Sequence, residues 1–105
     1  MSNSTDLKNQ IYATLKSAGL KAAITGRSPD NKYAVHRRGY VVGVCFSKPG
    51  ALTVHFEYER WYLRENKRDF SPLYAHHNEI AADTLGRAGF LVELDRHSVI
   101  VAPQT

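Results

Sequence analysis

Ser47-Lys48-Pro49-Gly50, followed after Ala51 by Leu52-Thr53-Val54-His55-Phe56-Glu57-Tyr58-Glu59, is the stretch on which the fold turns. Proline presets one backbone angle of a reverse turn and glycine permits the positive one that follows. The eight residues after the turn alternate. Leu52, Val54, Phe56 and Tyr58 share one face of a strand, and Thr53, His55, Glu57 and Glu59 share the other. Upstream, Tyr33 to Phe46 is rich in Tyr, Val and Phe and reads as a long partner strand, with Arg38-Gly39 marking a bend or bulge. A hairpin centred on Pro49-Gly50 follows. Its inner face is expected to hold Val42, Val44, Phe46, Leu52, Val54, Phe56 and Tyr58. Val41, Gly43, Cys45, Thr53 and His55 are expected on the reverse face, with Leu91 and Ile100 facing the same way.

Helices flank this hairpin. From Thr5 to Ala18, Leu7, Ile11, Leu15 and Ala18 recur at helical spacing, Ser4, Thr5 and Asp6 offer acceptors to the free amides at the start, and Gly19 ends the helix. Lys21 to Gly26 reads as a short strand closed by the turn-rich Gly26-Arg27-Ser28-Pro29-Asp30-Asn31. Arg60 to Phe70 has no sustained period and reads as a loop with at most a helical turn. Ser71-Pro72 opens a second helix, whose inner stripe is Leu73, His77, Ile80, Ala81, Thr84, Leu85 and Ala88 and whose end is Gly89. A C-terminal hairpin turns at Asp95 to Ser98, setting Leu94 opposite Val99 and Val92 opposite Val101.

Leu15-Lys16-Ser17-Ala18-Gly19-Leu20 is echoed by Leu85-Gly86-Arg87-Ala88-Gly89-Phe90, and Ile24 by Leu94. A helix-to-strand junction selects alanine, glycine and an apolar residue whether or not the chain is duplicated. Residues 1–105 are therefore read as a single α+β domain of order α-β-β-β-α-β-β, with an antiparallel sheet of about five strands and both helices on one face. The order of the first five elements resembles that of double-stranded RNA-binding domains. That likeness is one of topology alone: those domains start their second helix with lysines, where this chain has Ser71-Pro72-Leu73-Tyr74-Ala75-His76.

Composition bounds the function. Hydrophobic residues make up 43% and charged residues 23%, which excludes a disordered or collagen-like chain. No apolar run reaches the roughly 20 residues that cross a bilayer, so no membrane partner is expected. The first residues lack the pattern of a signal peptide, and the one cysteine, Cys45, cannot form an internal disulfide; both point to the cytoplasm. The net charge is +4, with eight basic against two acidic residues in the first 50 positions, a balance that favours phosphate-bearing partners.

No catalytic constellation emerges. His55, Glu57 and Glu59 project from one strand face, but alternate strand positions diverge by roughly 7 Å, too far to share one ion without ligands from elsewhere. His76 and His77 point apart around a helix. Glu57 and Glu59 lack anything that would desolvate one and separate their pKa values. Cys45 lies within an apolar run and reads as packing. Gly26-Arg27-Ser28 precedes no helix that could aim amides at a phosphate. No enzyme activity, metal or cofactor is expected.

The segment from Phe56 to Tyr74 stands out. It holds six of the eleven aromatic residues, interleaved with Arg60, Arg64, Lys67 and Arg68. Aromatic rings stack on unpaired bases while guanidinium and ammonium groups hold phosphates. The same residue types can instead cover a sheet edge, with the cations snorkelling round them. The expected function is low-specificity nucleic-acid binding through Arg60, Trp61, Tyr62, Arg64, Lys67 and Arg68, supported by Arg37 and Arg38. A further basic group, Arg27, Lys32, Arg37, Arg38 and Lys48, reads as a stripe. The alternative is a protein-binding accessory or inhibitor domain, of the kind phages and mobile elements carry, using this loop or the reverse sheet face, where two copies could also pair.

Overall fold

The computed structural model describes residues 4–103. Its elements are α1 (Ser4–Ser17), β1 (Ile24–Arg27), β2 (Tyr33–Arg37), β3 (Gly39–Val44), β4 (Leu52–Glu57), α2 (Arg60–Glu65), α3 (Ser71–Arg87), β5 (Val92–Leu94) and β6 (Val99–Val101). The reverse turn forms as its residues dictate: Ala51 N–H donates to Lys48 O at 3.0 Å and Gly50 takes a φ of 84°. It joins β3 to β4 antiparallel, with Val42 opposite Val54 and Tyr40 opposite Phe56. The C-terminal hairpin adds β6 beside β4 and β5 outside it, giving the order β3-β4-β6-β5. Its register pairs Leu94 with Val99 and Val92 with Val101, as the alternation implies.

One face of this sheet carries the core. Ile11 and Leu15 from α1 and Ala81 and Leu85 from α3 meet Val42, Leu52, Val54, Val99 and Val101, and both helices lie on that side. Burying each of the larger side chains contributes about 1.5–3 kcal/mol. Both helices end alike. Leu20 N–H donates to Leu15 O and Gly19 N–H to Lys16 O; seventy residues on, Phe90 N–H donates to Leu85 O and Gly89 N–H to Gly86 O. Each glycine has a positive φ, so the echo in the sequence is one capping geometry used twice.

The fold class is α+β, with departures from the expected elements. The long strand from Tyr33 to Phe46 is two strands in different sheets. β2 pairs with β1 in a separate two-stranded ribbon, and β3 belongs to the main sheet. The cause is at Gly39. Lys21 to Ala23 lies against it, with Ala22 forming a parallel bridge to Tyr40. A Cβ on Gly39 would come within 2.6 Å of three backbone atoms of residues 21–23. The main sheet thus has four strands and the ribbon two, and four strands precede the next helix, so the order shared with double-stranded RNA-binding domains is not kept.

The far end of β3 also differs. Val44 and Phe46 are 63% and 95% exposed instead of facing inward. β3 ends at Val44, and the chain turns at Cys45, whose N–H donates to Ala51 O. That turn buries Cys45 and leaves the Phe46 ring outside. In α3, Asn78 and Ala82 are buried and Ala88 is exposed, so the inner stripe sits slightly round the helix from its expected line.

Gly39→Ala should destabilise the protein by about 1–3 kcal/mol in urea denaturation, because the backbone of residues 21–23 must move aside. Gly43→Ala, where the added carbon meets only a Thr53 hydroxyl at 3.3 Å, is the control and should cost less.

Candidate nucleic-acid interface

Arg38 lies between β2 and β3, where the chain leaves the ribbon for the main sheet. Its backbone N–H donates to Glu59 Oε2 at 3.2 Å and its Nε to Glu59 Oε1 at 3.0 Å. Glu59 immediately precedes α2, and its side chain is only 12% exposed. The guanidinium then rests 4.1 Å from the centre of the Tyr62 ring and 5.1 Å from that of Tyr58. One side chain therefore fastens the base of the ribbon to the first turn of α2. Burial pushes the Glu59 carboxyl up, but hydrogen bonds from its own and Arg38's backbone, with the Arg38 charge, hold it below its ordinary value.

The irregular stretch before the second expected helix contains α2, a helix of six residues and so too short to impose a readable period. Tyr58, buried, is the hub of the aromatic residues around it. Its ring meets Phe56 at 4.9 Å, Tyr62 at 5.2 Å, Phe70 at 5.6 Å, Tyr74 at 5.7 Å and His77 at 5.7 Å between centroids. His77 Nε2 is also 2.7 Å from the Tyr58 hydroxyl, and Tyr40 donates to the His77 carbonyl. Burial lowers the His77 pKa, with the charges of His76 and Arg38 adding to it, so this ring is neutral near pH 7. Of the six aromatic residues between Phe56 and Tyr74, five pack in this cluster. Trp61 stands at its edge, 49% exposed and 5.8 Å from Tyr62.

The eight residues expected to bind divide accordingly. Arg38 and Tyr62 are engaged with each other, with Glu59 and with the cluster, so their role here is to position α2. Arg37 is exposed and its Nη2 donates to Ala22 O at 2.8 Å. Arg60, Trp61 and Arg64 lie on the outward side of α2, whose inward residues are Tyr62 and Leu63. Lys67 and Arg68 follow, also exposed, with the Arg68 guanidinium 5.9 Å from the Phe70 ring. Among the described residues no carboxylate is within ion-pair distance of Arg60, Arg64, Lys67 or Arg68.

The ribbon gathers charge that the sequence spreads along a stripe. Residues 21–38 hold five basic residues and one acidic one, a surplus of four that equals the net charge of the whole chain; elsewhere nine basic residues balance nine acidic ones. β1 and β2 pack chiefly on each other and most of their residues are exposed. At the ribbon's base a cavity of about 600 Å3 is lined by Tyr12, Lys16, Lys21 and Arg37, with no acidic residue among its walls. Lys16 and Lys21 stand apart in the sequence, on a helix and a loop, with nothing there to link them to Arg37. Lys48 does not join the stripe: its Nζ is 2.6 Å from Glu93 on β5.

Among the described residues no group of three or more His, Cys, Asp or Glu side chains converges to hold a metal, and no helix is long and apolar enough to cross a membrane. No protein-family model, curated protein or solved structure matches the chain.

Arg38→Met keeps the aliphatic stem and leaves the Glu59 carboxylate without its charged donor, which should cost about 2 kcal/mol at pH 7 in urea denaturation. A carboxyl lowered on folding stabilises above its unfolded pKa of about 4.3 and loses that contribution as pH falls through the folded value. Between pH 7 and 3, Glu59→Gln should therefore lose less stability than the parent protein.

Proposed function

We propose that the protein binds nucleic acid with low sequence specificity, through the β1–β2 ribbon and the outward side of α2. The observation that carries this reading is the Arg38 fastening. It sets the segment bearing the chain's surplus charge against a helix that presents a half-exposed tryptophan beside unpaired arginines. Cations of this kind meet phosphates, and an exposed ring stacks on a base, worth about 1–3 kcal/mol. A two-stranded ribbon also has dimensions that a duplex major groove admits.

Trp61 is the chain's single tryptophan, so its fluorescence reports directly on the site. Labelled single- and double-stranded oligonucleotides should bind at low salt, quench that fluorescence, and lose affinity steeply as salt rises. Trp61→Ala should weaken single-strand binding by about 1–3 kcal/mol with little change in the salt slope. Arg60→Gln with Arg64→Gln should lower the slope by about one unit for each phosphate that is no longer neutralised. No binding at low salt, or binding indifferent to all three changes, overturns the reading.

A protein partner is the second reading, favoured by one observation: Phe46 is 95% exposed next to Val44 at 63%. Exposed aromatic side chains are enriched at protein interfaces. Mass measured by light scattering should rise with concentration if the partner is a second copy, and Phe46→Ser should abolish that rise. A mass constant in both proteins rules out self-association.

A further inference from the structure

At the other end of the sheet, β6 pairs with β4 only as far as Val54 opposite Val99. Beyond that point β4 borders a cavity of about 450 Å3, lined by His55, Phe56 and Glu57 of β4, Ser71, Tyr74 and Asn78 of α3, and Arg96 and His97 from the β5–β6 turn. The volume is within the range of small-molecule sites. Asn78 is only 2% exposed, and its Oδ1 is, among the described residues, the buried side-chain polar atom without a hydrogen-bond partner. An unpaired buried acceptor costs about 1–3 kcal/mol, and an apolar side chain at this position would remove that cost. An amide held here without a donor is suited to a group that arrives from outside.

The other walls define that group. Both Glu57 oxygens are taken, Oε1 by the Tyr33 hydroxyl at 2.9 Å and Oε2 by His55 Nε2 at 2.6 Å. Asn78 Oδ1, an amide oxygen, is an acceptor. Burial and the Glu57 charge raise the Tyr74 pKa, so its hydroxyl keeps its proton. Arg96 has no carboxylate within ion-pair distance among the described residues, and His97 is next to it. The site thus offers an acceptor for an N–H group, aromatic walls for a flat ring, and a cation for an anionic end.

We propose that this cavity binds a nucleoside monophosphate, with the amino-bearing edge of the base at Asn78 and the phosphate at Arg96 and His97. The lining includes no residue of the ribbon or of α2, although Tyr33 of β2 holds Glu57 from outside, and the proposal does not depend on the nucleic-acid reading. AMP is the probe, with adenosine and inorganic phosphate as its two halves, followed by calorimetry and by amide chemical shifts. AMP should bind more tightly than either half and shift residues 55–57, 74–78 and 96–97. Arg96→Gln changes an exposed side chain; it should weaken AMP about tenfold and leave adenosine unchanged. Asn78→Leu should raise the melting temperature and abolish binding of both AMP and adenosine. Trp61→Ala should leave AMP binding as it was, which separates this site from the oligonucleotide surface. No AMP binding at millimolar concentration, phosphate binding as tightly as AMP, or an affinity indifferent to Arg96→Gln overturns the proposal; should Asn78→Leu not fold, Arg96→Gln and the shift map decide.

Discussion

A guanidinium, a carboxylate and a phenol ring hold the ribbon, the main sheet and α2 together. Arg38 joins ribbon, main sheet and α2 through one residue, and it can do so because an arginine has several donors and a flat face. Lysine could answer the Glu59 charge but could not lie flat on Tyr62 while its backbone amide served the same carboxylate. Gly39 follows it directly and admits the backbone of residues 21–23. Two adjacent residues thus decide that the chain leaves one sheet and enters another. The ribbon's orientation and the outward aim of α2 both depend on that junction.

Much of the architecture was legible because its signals are local. A proline-glycine turn, the alternation from Leu52 to Glu57 and two glycine helix stops act within a few positions of themselves and formed as expected; the strand stops short of Glu59, which is buried at the start of α2 instead of lying on the open face. The split of the long strand was not legible. Arg38-Gly39 was marked as a bend or bulge, but whether a chain bends within a sheet or departs from it depends on the distant segment 21–23 that packs on Gly39. Phe46 misled for a related reason: alternation says which face a residue would take if the strand continued, and β3 had already ended.

The candidate surface was legible in composition and illegible in detail. An aromatic and basic run can form an interface or the cover of a core, and here its residues divide between buried cover and exposed surface. Tyr58, Tyr62, Phe70 and Tyr74 became cover, while Trp61 and its cationic neighbours remained outside. A six-residue helix reveals its two sides only once something packs against one of them. The concentration of charge on the ribbon could have been counted from the sequence; its meaning required seeing residues 21–38 as one structural unit. Asn78 carried no signal beyond a polar residue among alanines, and its unpaired oxygen is a property of the folded state alone.

The strand order has a bearing on how the chain is made. β6, the last of the described strands, lies inside the sheet between β4 and β5, and Val99 and Val101 are fully buried. Until residue 101 has left the ribosome, β4 has one unsatisfied flank and the floor beneath Leu85 is missing. The hairpin of β3 and β4 and the helix α1 can assemble early, since the pairings that hold them are near in sequence. Closure of the interior must by contrast await β6, and until then an emerging chain holds an open hydrophobic seam that chaperones or neighbouring nascent chains can reach.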